Sequence, residues 1–249
     1  MIWLTKHETE AAYNAVKDSL ETPQVALTLD DMKIHLQPYV DPYNGHDFVE
    51  IGGLKWATMN VGAENITDYG MYFQWGDIQG YTASQVGSTS GKKPFKWDDY
   101  KYGNGSTSPG ATGMTKYNAT DELTTLDESD DAVRSAWGGK WRMPTKDEFV
   151  ALGAAVNTAW TNDYQGSGIR GLVCTDKNDS SKVLFFPAGS KAWYGTLDNL
   201  GNYCYYWSKS LITNNMTNAY TFYTTSSSPN WQWTAVGRAN GCTLRGVVG

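Results

Sequence analysis

The feature that most constrains this chain is its supply of large aromatic side chains and glycines. Its 249 residues include 11 Trp, 16 Tyr and 26 Gly, whereas leucine and isoleucine are sparse. A helical bundle needs repeated aliphatic stripes, which such a sequence does not supply. Large flat side chains among many glycines favour a loop-rich β domain whose irregular segments are held by Trp and Tyr. The length fits one large domain plus a small appendage, and it allows a sizeable core.

The charge distribution argues against nucleic acid as a partner. The formal net charge is −6, and the nearest approach to a basic cluster is Lys92, Lys93 and Lys96. Nucleic-acid binding depends on larger basic patches. No apolar run approaches the roughly 18 residues of a membrane-spanning helix, so no membrane insertion is expected. No signal peptide is visible at the start of the sequence.

The reactive and metal-binding residue types form no recognisable site. Cys174, Cys204 and Cys242 include no Cys-x-x-Cys pair, and the three histidines all lie in the first fifth of the chain. This argues against a zinc site or a full disulfide framework, although one disulfide stays open. No Gly-x-Ser-x-Gly or phosphate-binding glycine loop occurs either. We therefore predict no catalytic residues, no metal site and no cofactor.

One acidic cluster leaves calcium open as a second interpretation. It consists of Asp127, Glu128, Asp130 and Asp131. Carboxylate oxygens are the ligands that Ca²⁺ prefers. The same residues at the start of a helix are more typical of a favourable interaction with the helix dipole.

Residues 1–45 are predicted to form a small module of one helix and one β-hairpin. Thr5 and Glu8 have capping-box spacing ahead of apolar residues at helical intervals, which predicts a helix over 5–20. Two short runs between residues 24 and 37 predict the hairpin. A segment this short cannot bury a stable core alone. We expect it to attach the protein to a virion or to oligomerise.

Residues 46–249 are expected to form one domain of the α+β class. The predicted elements are a hairpin over 48–61, an aromatic strand over 69–75, a long irregular loop over 80–118, helices over 127–137 and from 145 onward, and strands at 171–174, 183–186, 204–207, 219–224 and 243–248. Two short helices among many short strands are typical of that class.

Several short motifs in this domain match one known pattern. They are Asn60-Val61-Gly62, Trp75-Gly76, Thr125-Leu126-Asp127, Asp130-Asp131-Ala132, Trp137-Gly138-Gly139-Lys140-Trp141-Arg142-Met143-Pro144-Thr145, Tyr206-Trp207-Ser208, Asn218-Ala219-Tyr220 and Gly241-Cys242-Thr243-Leu244-Arg245-Gly246-Val247. With them, residues 48–249 resemble the Fibrobacter succinogenes major paralogous domain, which is widespread in Bacteroidetes and their phages. The resemblance implies a C-type-lectin-like fold of the formylglycine-generating-enzyme branch.

The resemblance also implies a role for the end of the chain. The same branch includes variable proteins of diversity-generating retroelements, in which a reverse transcriptase mutates adenines in a C-terminal coding segment. Residues 200–240 fit such a variable region. Tyr, Trp, Asn, Ser and Thr fill 24 of the 34 positions from 201 to 234, and Lys209 is the only charged residue there. Adenine-rich Asn codons mutate readily to Tyr, Ser, Thr or Asp codons, and this composition also suits binding surfaces.

Within this region we distinguish ligand contacts from scaffold. The predicted ligand-binding residues are Tyr203, Tyr205, Thr213, Asn214, Asn215, Asn230, Trp231, Trp233, Arg238 and Asn240. The neighbouring motif residues Tyr206, Trp207, Ala219, Tyr220 and Val247 are expected to be core. Arg142 and Arg245 are expected to donate hydrogen bonds to buried carbonyls.

The resulting functional hypothesis is a hypervariable binding protein, not an enzyme. It would be a phage receptor-binding or accessory tail protein on the virion surface, with a host cell-surface protein or glycan as its partner. The alternatives are a non-diversified adhesin or protein-binding module on a Bacteroidetes cell surface, and a structural virion protein. A formylglycine-generating oxidase would need a close pair of reactive cysteines. The Glu-Pro-Asn and Trp-Asn-Asp tripeptides of calcium-dependent lectins are absent.

Overall fold

Short strands and tight turns dominate the fold, as the glycine content predicts. The computed structural model describes residues 41–87 and 94–249. Within it, Gly45–Gly249 forms one compact unit. The predicted amino-terminal helix and hairpin lie outside the described residues. The described part contains no helix that is long and apolar enough to cross a membrane.

The described strands form four antiparallel sheets, so the α+β prediction is confirmed at this level. In chain order they are β1 (Phe48–Ile51), β2 (Leu54–Asn60), β3 (Tyr72–Phe73), β4 (Gly80–Tyr81), β5 (Val156–Thr161), β6 (Gly171–Asp176), β7 (Val183–Pro187), β8 (Lys191–Trp193), β9 (Thr196–Leu197), β10 (Tyr203–Leu211), β11 (Asn218–Thr225), β12 (Ser228–Gly237), β13 (Gly241–Cys242) and β14 (Arg245–Val248). The sheet orders are β1–β2–β14, β10–β11–β12, β4–β3–β13–β8–β9 and β5–β6–β7.

The described helices are short, and a side-chain cap marks the start of each of the three α-helices. They are α1 (Ala83–Val86), α2 (Ala132–Trp137) and α3 (Lys146–Ala155), with single 3-10 turns at Trp97–Asp99, Ala111–Gly113, Glu128–Asp130 and Tyr164–Gly166. Thr145 and Glu148 form the predicted capping box at the start of α3. The predicted helix over 127–137 is interrupted, because Asp131 is extended and its carboxylate caps α2.

The core lies between α3 and three of the sheets. Phe149 and Leu152 on α3 pack with Phe186 of β7 and Phe222 of β11, and Trp56 of β2 joins the same cluster. Val156, predicted on the apolar face of this helix, instead begins β5. Strands β5 and β12 were both missed by the sequence patterns.

Arg245 of β14 ties three strands together. Its side chain is 0% exposed, and it donates to the carbonyl oxygens of Ala57, Thr58 and Phe185 and to Oδ1 of Asn60, at 2.5 to 3.0 Å. The predicted role of Arg245 is therefore confirmed. Arg142 donates to the Met143 carbonyl but directs two further donors to the Glu148 carboxylate.

Candidate binding surface

The sheet β10–β11–β12 holds five of the ten predicted ligand-contact residues and separates them onto two faces. Tyr205 lies opposite Tyr223, and Tyr223 lies opposite Gln232. Paired residues in an antiparallel sheet share a face, and side chains alternate between faces along each strand. The residues at positions 203, 205, 223, 230 and 232 therefore point to one side of the sheet.

We call this side the tyrosine face, and define it as Tyr203, Tyr205, Tyr223, Asn230 and Gln232. The rings of Tyr205 and Tyr223 lie 4.8 Å apart, and Tyr203 stacks on Tyr223 at 6.2 Å. The three tyrosines are half-buried, whereas Asn230 and Gln232 are exposed. The tyrosine face is thus a continuous aromatic and polar surface across three strands.

The hydroxyls of Tyr205 and Tyr223 keep their protons. Burial raises the pKa of Tyr205 well above its usual value, and the neighbouring Tyr223 adds to this effect. Burial also raises the pKa of Tyr223. The ammonium of Lys191 lies 5.3 Å from the Tyr205 ring centroid. The face therefore offers neutral hydroxyl groups and ring surfaces to a ligand, with one cation at its border.

The opposite side of the sheet packs on α3, and this corrects one predicted contact. Trp231 stacks on Phe222 at 3.8 Å and lies beside Phe149 and Phe186. Its indole rests on the backbone of Gly153, where any Cβ would overlap it. Trp231 is therefore a partly buried member of the core and not a freely exposed contact.

Two positions after Trp231 on β12, the same side of the sheet is exposed to solvent. Trp233 is 53% exposed, and its ring centroid lies 5.2 Å from that of Tyr220 in an edge-to-face arrangement. Lys146, the first residue of α3, places Nζ 4.6 Å from the Trp233 centroid and 4.7 Å from the Tyr220 centroid. We define the aromatic groove as Lys146, Val150, Tyr220 and Trp233. Tyr220 was predicted to be core, and its half-exposed ring corrects that prediction.

The remaining predicted contacts lie at the far end of the sheet. Thr213, Asn214 and Asn215 are exposed in the turn between β10 and β11. Asn240 is half-buried, and its side-chain amide donates to the Gly237 carbonyl at 2.9 Å. These residues lie at the opposite end of the strands from Tyr203, so the ten predicted contacts do not converge on one spot.

Arg238 is wrongly predicted as a ligand contact. Its side chain is 0% exposed. The guanidinium donates to the carbonyl oxygens of Lys116, Tyr117 and Met216 and to the Tyr100 hydroxyl, at 2.8 to 3.1 Å. Its donors are therefore used within the protein, where they fix the turn before β11 to the long loop.

Apart from Tyr220, the predicted scaffold residues are buried. Tyr206, Trp207, Ala219 and Val247 are each 0% exposed. The indole N–H of Trp207 donates to the Phe73 carbonyl at 2.8 Å. Buried scaffold and exposed polar positions therefore alternate within the same three strands.

Carboxylates of the acidic cluster form ion pairs and hydrogen bonds with partners within the protein. Asp130 accepts from Lys101, Lys116 and Tyr117 at 2.6 to 2.9 Å. Burial alone would raise the pKa of Asp130, but hydrogen bonds led by Lys116 outweigh it and lower the pKa far below its usual value. Asp131 accepts from the backbone of Val133, Arg134 and Met143. Within 41–87 and 94–249, no group of three or more His, Cys, Asp or Glu side chains could hold a metal ion.

The three cysteines are buried, unpaired thiols. Burial raises the pKa of Cys174, Cys204 and Cys242 above the usual value, which keeps them protonated. A protonated thiol is a poor nucleophile and metal ligand. The surface of β10–β12 therefore presents rings, hydroxyls and amides, and not these buried thiols.

The sequence patterns assigned Tyr220 to the core and missed four other members of these surfaces: Lys146, Val150, Tyr223 and Gln232. Tyr223 and Gln232 alternate with the core-side residues Phe222 and Trp231, which is the signal that could have found them. Lys146 precedes the variable region by more than fifty residues and is brought to it only by the packing of α3. Comparison of the chain with known protein families, with curated proteins and with solved structures finds no match.

Proposed function

We propose that this chain is a ligand-binding protein that recognises a host cell-surface protein or glycan through the tyrosine face. The observation that carries the proposal is the row Tyr205–Tyr223–Gln232, whose members are half-exposed or exposed on strands with a buried opposite side. Tyrosine supplies large rigid contacts at low entropic cost, and amides supply adaptable hydrogen bonds. Such surfaces bind macromolecules without covalent chemistry.

The scaffold belongs, in this proposal, to the C-type-lectin-like fold, and residues 200–240 are its diversified segment. The alternation of buried scaffold and accessible positions within β10–β12 supports it, because mutation at accessible positions leaves the core intact. Exposed Thr213, Asn214, Asn215 and Asn230 are residues whose codons adenine mutagenesis reaches. A phage tail protein on the virion surface is the setting that best fits such a receptor-binding role.

Sequencing the DNA around the gene tests the diversification. We expect a near-copy of the codons for about residues 200–249 that differs at adenines, together with a reverse-transcriptase gene. If the copy is missing, diversification is ruled out and the adhesin alternative is favoured. Sibling copies should differ at the tyrosine face and agree at Trp207, Ala219, Arg245 and Val247.

Cell binding tests the tyrosine face directly. We expect fluorescently labelled protein to stain some strains in a panel of Bacteroidetes, measured by flow cytometry. The double variant Tyr205→Ala, Tyr223→Ala should lose the staining, because it removes the centre of the face. Tyr194, which is 40% exposed and is not a member of the tyrosine face, supplies the matched control Tyr194→Ala. Staining of the same strains by the double variant would rule out the proposed contact surface.

A further inference from the structure

We propose that the aromatic groove is a second binding site, which takes a sugar acid: a pyranose ring that carries a carboxylate. It lies on the opposite side of the sheet from the tyrosine face, so the inference goes beyond the proposed function. The site unites three elements, with Lys146 and Val150 from α3, Tyr220 from β11 and Trp233 from β12.

The first argument concerns the exposed rings. Trp233 is 53% exposed although Trp231, on the same strand and the same side, is packed in the core. Val150 beside it is 45% exposed. The edge-to-face contact with Tyr220 and the Lys146 ammonium over one face hold the Trp233 ring and leave the rest of it exposed. A rigid, uncovered indole face costs little entropy to present to a ligand.

The second argument concerns the cation. Lys146 forms no ion pair, and its Nζ donates no hydrogen bond, within the part of the chain that the structure describes. Its ammonium is positioned by two ring faces, and its backbone N–H donates to Ser210 Oγ at 3.1 Å. Residues 210–237 contain no charged side chain. Lys146 therefore holds a positioned positive charge that no carboxylate of the described residues neutralises.

Together these features define the ligand chemistry. A simple anion leaves the indole face unused, and a neutral hydrophobic ligand leaves the ammonium unused. A pyranose packs its weakly positive C–H groups on the negative face of an aromatic ring. A carboxylate on the same sugar can pair with the Lys146 ammonium a few ångströms away. The groove is shallow, which suits a sugar at the end or along the side of a larger glycan.

The test uses full-length protein with trigalacturonic acid and its fully methyl-esterified form, which share the same rings and differ in charge. Binding is followed by tryptophan fluorescence and by calorimetry. We expect the acid to bind about fivefold more tightly than the ester, the upper range for an exposed ion pair. Added salt should reduce that preference, because it screens the charge interaction.

Variants at Lys146 and Trp233, each with a control, assign the site. Lys146→Gln should bind the acid and the ester equally, whereas Lys140→Gln, at an exposed lysine after α2, should behave as wild type. Trp233→Ala should lose both ligands. Trp233→Phe, which keeps a ring, should retain part of the affinity, and it replaces the alanine variant in the test if that variant is unstable. The Tyr205→Ala, Tyr223→Ala protein should still bind the acid, so the two sites fail separately.

The inference is overturned by any of three results. The first is an absence of acid binding at millimolar concentration, and the second is equal binding of acid and ester by the wild type. The third is an acid preference that survives in Lys146→Gln. Binding of an acidic peptide in place of the sugar would likewise show that the ligand class is wrong.

Discussion

At the scale of single residues, two buried arginines hold the domain together by binding main-chain oxygen atoms. Arg238 uses four donor contacts and Arg245 also uses four. Guanidinium is suited to this role because its five donors lie in one rigid plane. The aromatic rings of Trp75 and Tyr100 flank Arg238, so its charge is desolvated against ring faces as well as carbonyls.

Replacing Arg238 with methionine should destabilise the fold by about 3 kcal/mol or more, because buried carbonyls would lose their donors. The measurement is urea unfolding followed by far-ultraviolet circular dichroism. Arg134→Met is the control, since among residues 41–87 and 94–249 the Arg134 side chain pairs only with the exposed Glu128, at 3.2 Å. The control should change stability by less than about 1 kcal/mol. Equal effects of the two variants would contradict the structural role of Arg238.

A second prediction at this scale concerns Glu148 and pH. Burial alone would raise the pKa of Glu148, but hydrogen bonds from Arg142 and Thr145 outweigh it and lower the pKa. A lowered folded-state pKa stabilises the protein at pH values above the unfolded-state pKa of about 4.3. That contribution is lost as the pH falls through the folded-state pKa. Wild type should therefore lose more unfolding free energy between about pH 6 and about pH 3 than Glu148→Gln does.

Glutamine at 148 is the right comparison because it preserves the capping box with Thr145. The variant thus removes the titrating group without removing the helix start. Chemical unfolding at a series of pH values supplies the measurement. A pH dependence that is the same in both proteins would show that Glu148 contributes nothing to acid sensitivity.

At the scale of elements, helix α3 decides which aromatic residues of β12 are covered. Trp231 lies against Gly153, where the absence of a side chain leaves room for the indole. Trp233 lies near the start of the same helix, beside Lys146 and Val150, and stays open. One helix thus produces a core residue and a surface residue at neighbouring positions of one strand face.

Gly153→Ala tests this packing. In an exposed helix the change would stabilise by about 1 kcal/mol. Here the added methyl would displace Trp231, so we expect destabilisation of about 1 to 3 kcal/mol. In a Trp231→Ala background the same change should lose its cost, which a double-mutant cycle measured by urea unfolding would reveal. Additive effects of the two changes would contradict the contact.

The sequence predicted elements best where the signal was local. The capping box of Thr145 and Glu148 identified α3, and the apolar runs identified β7 and β11 within two residues of their ends. Strand β12 was missed because its residues look like a polar variable loop, and its pairing with β11 is a long-range property. Arg238 was placed on the surface for the same reason: its partners at Tyr100 and Lys116 are over a hundred residues away.

At the scale of the whole molecule, the last strand of the described chain, β14, pairs with segments far from it in the sequence. β14 pairs with β2, and Val247 exchanges backbone hydrogen bonds with Arg142. Val247 is 0% exposed in the main core cluster. The motif that carried the family resemblance is therefore also the segment that joins distant parts of the domain.

Val247→Asp should prevent folding, because a carboxylate placed in this core would cost more than about 4 kcal/mol. Solubility, circular dichroism and resistance to protease are the measurements. Ile78→Asp is the control, since Ile78 is 45% exposed. A folded and protease-resistant Val247→Asp protein would contradict the placement of β14 in the core.

The hydrogen bonds from Arg238 and Arg245 to carbonyl oxygens have a consequence for how the sequence can change over generations. Every residue type offers the same carbonyl, so Met216, Lys116 and Phe185 can be exchanged for other residues without losing those bonds. The two arginines therefore bind the backbone whatever side chains it carries at those positions. The side chains at these carbonyl acceptors can therefore change over generations, while the two arginines keep the backbone on the same course.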